Sequence, residues 1–200
     1  MRRLFAIASF VLAACLAPAA LAAPAAAAPT QTAIYAGGCF WCAEHDLAAV
    51  PGVVDVVSGY TGGTLANPRY DDVITETTGH YEAVKVTFDP AKITYRALTD
   101  RFFRIIDPTD GGGQFCDRGP SYRSAVFATP EQKPIADAAR AAAAAALKKP
   151  VATQVLAVST FWPAETYHQD YAAKNPARYL FYRSGCGRDA RVKEVWRGVK

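Results

Sequence analysis

The sequence lacks a basic block, and it lacks any patch in which basic and aromatic residues alternate, so nucleic acid is not an expected partner. It has no internal repeat, which excludes solenoids and arrays, and no low-charge, Pro-rich or Ser-rich stretch long enough to read as extended disorder. Cysteine is sparse: five residues in a chain of 200, too widely spaced for a small disulfide-stapled scaffold. Only Cys39 and Cys42 are closely spaced, whereas a structural zinc site usually draws on two such pairs.

What is present is the composition of one globular domain, 51% hydrophobic and 20% charged. The first residues stand apart. Arg2 and Arg3 precede an apolar run from Leu4 to Leu16, and small residues at Ala20 and Ala22 offer a cleavage site. Residues 1–22 therefore read as a secretory signal, residues 23–31 as a mobile leader, and 32–200 as the functional domain. Leu12-Ala13-Ala14-Cys15 also resembles a lipoprotein signal, so the expectation is an exported, periplasmic protein, attached to the membrane only if Cys15 carries lipid. Without Arg2 and Arg3, 20 basic side chains face 18 acidic ones, a net charge of +2.

The domain alternates strand and helix signals. Thr32 to Ala36 reads as a strand ending at Gly37-Gly38, Phe40 to Ala49 as a helix, and Val53 to Tyr60 as a second strand. Tyr81 to Phe88 is a clear strand, and Thr94 can cap a helix whose apolar face carries Tyr95, Leu98, Phe102 and Ile105 or Ile106. A glycine-rich loop spans Asp107 to Pro120, and a strand runs from Tyr122 to Ala128. Thr129-Pro130 with Gln132 starts an Ala-rich helix reaching about Lys149, and Gln154 to Thr160 is a further strand. The expectation is an α/β or α+β single domain, a mixed sheet flanked by helices, with long loops and an irregular C-terminal tail.

Chemistry concentrates first at Gly37-Gly38-Cys39-Phe40-Trp41-Cys42. The glycine pair permits a sharp turn and delivers Cys39 to a helix N-terminus, where the dipole and free amides favour thiolate. Phe40 and Trp41 can wall an apolar pocket beside its sulfur. Alternation along the strand from Tyr81 puts Glu82 on the face of Val84, Val86 and Phe88, where burial would raise its pKa and keep it protonated, as a general acid requires. Tyr70 and Tyr122, in or beside the polar loops, can hydrogen-bond a substrate oxygen or Glu82, and Asp117 can anchor its loop or a substrate. Cys186, between two glycines, can swing toward an oxidised Cys39 and close a disulfide.

These segments, with Gly59-Tyr60-Thr61-Gly62-Gly63, Asn67-Pro68-Arg69-Tyr70, Gly79-His80-Tyr81-Glu82, Asp117 to Ser124 and Pro163 to Gln169, resemble the A-type peptide methionine sulfoxide reductases from Ile34 through Trp196. The resemblance implies reduction of the S epimer of methionine sulfoxide, free or in proteins, with no metal or organic cofactor. It implies Cys39 as nucleophile, Glu82 as acid, Tyr70, Asp117 and Tyr122 as the polar side of the pocket, Phe40 and Trp41 as its methyl-receiving wall, and Cys186 as resolving cysteine. An external dithiol, thioredoxin or a thioredoxin-like protein, would restore the thiols. Leu47, Tyr81 and Pro120-Ser121 depart from the common pattern. Cys42 and Cys116 are extra thiols that can shuttle the disulfide, pair with each other or stay reduced. A monomer is expected.

Two other readings compete. Cys39-Phe40-Trp41-Cys42 has the spacing of thioredoxin-like disulfide oxidoreductases, but that reading leaves Glu82, Tyr70 and Tyr122 without roles. A zinc site would need Cys39 and Cys42 joined by Cys116, Cys186, His80 or His168, whereas His80 and His168 read as loop hydrogen-bonding residues.

Overall fold

The computed structural model describes residues 29–199; the expected signal and residues 23–28 of the expected leader lie outside the described residues, and Gln31, placed at the end of that leader, opens the first strand instead. Eight strands and seven α-helices follow in the order β1 (Gln31–Gly37), α1 (Phe40–Ala48), β2 (Val53–Thr61), α2 (Tyr70–Val73), β3 (Tyr81–Phe88), α3 (Tyr95–Arg104), β4 (Gly113–Gln114), β5 (Asp117–Arg118), β6 (Ser124–Ala128), α4 (Lys133–Leu147), β7 (Gln154–Ala157), β8 (Trp162–Pro163), α5 (Tyr171–Lys174), α6 (Pro176–Gly185) and α7 (Arg188–Val195). Among the described residues no helix is long and apolar enough to cross a membrane.

Six strands form one mixed sheet in the order β7-β6-β1-β3-β2-β8. All its pairings are antiparallel except β6 with β7. The central strands β1 and β3 are buried on both faces, which the alternation of β3 alone does not reveal. One face carries Tyr35, Val84, Val86 and Phe88, and packs against Leu47 of α1 and against Leu98, Phe102 and Phe103 of α3. The Tyr35 and Phe102 rings stack at 4.7 Å. Truncating a fully buried Phe such as Phe102 to Ala would cost about 3–5 kcal/mol.

Local signals account for the ends of these helices. Thr94 accepts the Ala97 amide at 3.2 Å, capping α3. Thr129 and Gln132 cap reciprocally, the Gln132 amide donating to Thr129 Oγ1 and the Thr129 amide to Gln132 Oε1, and a single turn then leads into α4. The alanine run of α4 buries Ala136, Ala139 and Ala143.

Three expectations are corrected. The segment after Tyr171 is not an irregular tail but three helices, started in α6 by Pro176 at its first position. Their apolar periodicity is weak, because α6 buries only Tyr179 and α7 buries Arg188. The glycine-rich loop contains the β4–β5 hairpin, held by Gln114, whose side-chain amide donates to the Asp107 carbonyl at 2.8 Å and whose Oε1 accepts the Asp107 amide at 2.9 Å. Tyr122 ends a turn of 3-10 helix at Pro120–Tyr122, and β6 begins only at Ser124.

Candidate active site

Cys39 lies at the junction of β1 and α1, at the N-cap of the helix, where its carbonyl accepts the amides of Cys42 at 3.1 Å and Ala43 at 3.3 Å. The junction depends on Gly38, with φ +76°; a Cβ there would stand 2.5 Å from the Gln114 Cβ. The Cys39 sulfur faces a cavity of about 60 Å³ lined by Cys39, Phe40, Trp41, Tyr70, Glu82, Asp117, Tyr122 and Tyr182. Seven of these are residues that the sequence singles out. A larger hollow of about 580 Å³ lies elsewhere, beside Asp107, Phe115, Cys116, Cys186 and Arg191, and contains neither Cys39 nor Glu82.

Glu82 is buried, 2% exposed, at the head of β3. It accepts the backbone N–H of Phe40 at Oε2, 2.9 Å away. Burial pushes its carboxyl up to about 8, against the hydrogen bonds from Phe40 and Tyr122 that favour the ion, so it holds a proton at neutral pH. Tyr70 is pushed up to about 12 by burial and by Glu82, and hydrogen-bonds Tyr122. Burial raises Asp117 above the usual carboxylate range, although its Oδ2 accepts the Tyr182 hydroxyl at 2.5 Å.

The thiol balance differs from the expectation of a Cys39 thiolate. Burial, a hydrogen bond with Cys42 and the nearby Glu82 all push the Cys39 thiol well up. That hydrogen bond, with Arg188 and Arg183 nearby, brings Cys42 down to about 7 despite its burial. A proton held by Cys39 therefore favours charge on Cys42. Amides at the helix start do not reverse this, because Phe40 spends its N–H on Glu82.

In this structure Cys186 is bonded to Cys116, while Cys39 and Cys42 are both free and buried. Cys116 therefore neither stays reduced nor pairs with Cys42; of its three expected fates, shuttling the disulfide is the one that a bond to Cys186 fits. The zinc reading loses its ligand set, since the four sulfurs divide between two places. Among the described residues, the one group of three metal-capable side chains is Cys116, Asp117 and Cys186, whose two sulfurs are already bonded to each other.

Supporting residues surround these, and His168 and His80 hydrogen-bond as the sequence reading expects. His168 is buried, and burial lowers its pKa, so its neutral ring accepts the Trp41 indole N–H at Nδ1, 3.0 Å away. Trp41 stacks on Tyr171 at 3.7 Å. Glu165 accepts the Tyr60 hydroxyl at 2.9 Å and the Tyr70 amide at 3.0 Å, so it positions Tyr70 at the pocket and Tyr60 against the Phe40 ring. Gln169 binds both backbone groups of Ser58 at 2.9 Å and ties this segment to β2. His80 serves its loop, accepting the Gly63 amide and meeting the Leu65 carbonyl at 2.8 Å. Tyr182, which the sequence reading leaves out, completes the cavity; a helical reading of 176–185 would have placed it one turn before Cys186, on the same face.

Comparison with known proteins agrees with this geometry. Residues 31–200 match the family model of the peptide methionine sulfoxide reductases. A peptide methionine sulfoxide reductase of Caulobacter vibrioides, MsrA 2, is 62% identical over 170 residues, 84% of this chain and 87% of that one. The MsrA of Bacillus subtilis is 48% identical over 83% of this chain and 96% of its own length. Among solved structures, reduced Mxr1 from Saccharomyces cerevisiae superposes with a TM-score of 0.69 at 34% identity, covering 74% of this chain and 86% of that one. Methionine sulfoxide reductase A of Corynebacterium diphtheriae does so at 0.66 and 34%, covering 74% and 76%. With a matched domain that contains the whole Cys39 pocket, the chain belongs to the peptide methionine sulfoxide reductase family.

Proposed function

We propose that this chain reduces the S epimer of methionine sulfoxide, free or within proteins, with Cys39 as nucleophile and Glu82 as acid. The observation that carries the reading is a buried carboxyl, protonated at neutral pH, in the same small cavity as a free cysteine and two aromatic walls. A disulfide oxidoreductase needs only the two thiols, and gives Glu82, Tyr70 and Tyr122 nothing to do.

In this mechanism the sulfoxide methyl rests against Phe40 and Trp41, while its oxygen faces Glu82, Tyr70 and Tyr122. Cys39 sulfur attacks the sulfoxide sulfur, Glu82 gives its proton to the oxygen, and the carboxylate so formed takes the thiol proton. Protonation removes the charge that would otherwise build on oxygen in a small pocket walled by buried side chains. The oxygen passes to Cys39 as a sulfenic acid and methionine leaves, so atoms and protons balance.

An internal thiol then displaces water from the sulfenic acid and forms a disulfide. Cys42 is the thiol in reach, hydrogen-bonded to Cys39. Cys186, the resolver implied by the family resemblance, joins once the Cys116–Cys186 bond has been reduced. Electrons come from an external dithiol. The yeast relative Mxr1 is known in complex with Trx2, at 26% identity and a TM-score of 0.51, which supports a thioredoxin-like donor. Export to the periplasm, with or without lipid on Cys15, and a monomeric state complete the proposal.

The test is reduction of separated S and R methionine sulfoxide with excess dithiothreitol by wild type, Cys39→Ser and Glu82→Gln. S-specific activity lost in the first variant and slowed in the second supports the assignment; no reduction of either epimer by wild type overturns it.

A further inference from the structure

Two ties join the same two segments of the chain. Cys116 and Asp117 are neighbours at the β4–β5 hairpin; Tyr182 and Cys186 are four apart at the end of α6. Cys116 is bonded to Cys186, and the Tyr182 hydroxyl donates to Asp117 Oδ2 at 2.5 Å. The second tie crosses the Cys39 pocket: the Tyr182 ring meets Trp41 edge-on at 5.8 Å and lines the cavity beside Cys39. The cavity that Tyr182 bounds is only about 60 Å³ and still opens to solvent, so a small sulfoxide head enters it more readily than one with bulk behind it.

The tied segment has the means to move. Cys186 lies between Gly185 and Gly187, and a Cβ on either would meet nothing within 4 Å. Helix α6 buries only Tyr179, exposes Leu180 and Phe181, and is held besides by Arg183 on Asp46 at 2.8 Å, while the chain beyond Cys186 is fixed by buried Arg188 on the Gly37 and Ile105 carbonyls. Cys116 is exposed, so a reductant can reach the disulfide without entering the pocket.

We propose that Tyr182 is the specificity-determining gate of the Cys39 pocket and that the Cys116–Cys186 disulfide holds it shut. This rests on the function proposed above. With the disulfide intact, the pocket favours small, unhindered sulfoxides. A dithiol donor that reduces it, becoming a disulfide while Cys116 and Cys186 become thiols, frees α6 to swing about its Arg183 anchor and admits methionine sulfoxide carried on a polypeptide.

The gate can be read without turnover, by mapping alkylation of Cys39 by mass spectrometry with iodoacetamide and with a bulky maleimide. The proteins are wild type with the disulfide intact, Tyr182→Phe, which keeps the disulfide but loses the hydrogen bond to Asp117, and Cys116→Ser/Cys186→Ser. The expected result is a rise in the large-to-small reagent rate ratio of about tenfold in both variants, the scale of one hydrogen bond to a carboxylate. A ratio unchanged in either variant overturns the gate. Reductase activity is not needed for this reading, so failure of the gate and failure of the proposed reaction remain distinguishable.

Discussion

The Phe40 backbone N–H donates to Glu82 Oε2 at 2.9 Å, so the residue that follows the nucleophile fixes the position of the acid. The bond spans 42 positions of sequence and joins the start of α1 to the head of β3. It also fixes the electrostatic state of the pocket. The hydrogen bonds from Phe40 and Tyr122 are too little to offset its burial, and Glu82 stays protonated up to a pH of about 8.

A first prediction follows for pH. Glu82 loses its proton through about pH 8 in the folded protein but near 4.5 when unfolded, so the folded state binds the extra proton in that window. Stability from this group is therefore greatest below about 4.5 and falls as pH rises toward about 8. Glu82→Gln should flatten that loss and raise the melting temperature at pH 8, while slowing sulfoxide reduction roughly 10²- to 10⁴-fold, the usual contribution of a positioned acid. Wild-type single-turnover rates should decline above pH 8. Thermal melts and stopped-flow profiles across pH check both; a variant that loses activity and is also less stable at pH 8 would contradict the role of burial.

A second concerns the ring cluster. His168 offers a neutral acceptor to the Trp41 indole at 3.0 Å, and His168→Ala leaves that N–H without its partner in a half-buried site. The expected cost is about 1–3 kcal/mol of stability, with a raised KM because Trp41 loses its orientation. His168→Gln, which can still accept, should recover much of both. Denaturant titration and steady-state kinetics on the two variants decide it.

A third concerns the turn before the nucleophile. Gly38→Ala would place a side chain at φ +76° and 2.5 Å from the Gln114 Cβ. Strain of this kind costs about 1–3 kcal/mol, and Gln114 cannot yield freely because it binds the Asp107 backbone at both ends of its amide. The variant should melt lower and lose activity together, as differential scanning calorimetry with a turnover assay would record.

The sequence makes β3 legible to the residue, because Tyr81 to Phe88 is bounded by a glycine turn and by Asp89-Pro90. Cys39, Phe40, Trp41, Tyr70, Glu82, Asp117 and Tyr122 are legible too, and all line one cavity. The C-terminal helices are not, since α6 and α7 are held by Tyr179, Arg188 and aromatic contacts to Trp41, and show no apolar stripe. Tyr182 is missed for that reason. The pairing of Cys116 with Cys186 is missed for another: it joins positions 70 apart, and sequence alone gives no distance between the β4–β5 hairpin and α6.

The last prediction separates the thiols. If Cys42 resolves the sulfenic acid, one turnover without reductant should leave wild type with a Cys39–Cys42 disulfide beside an unchanged Cys116–Cys186 bond. Cys42→Ser should then accumulate Cys39 sulfenic acid, trapped by dimedone, while Cys186→Ser should not. The Cys39 thiol, and after it Arg188 and Arg183, bring Cys42 down to about 7 before turnover; once Cys39 is a sulfenic acid the two arginines remain to favour the attacking Cys42 thiolate. A sulfenic acid that persists in Cys186→Ser but not in Cys42→Ser would instead require the Cys116–Cys186 bond to open before each turnover. Peptide mapping after a single turnover distinguishes the two, because the competing routes leave different sulfurs bonded.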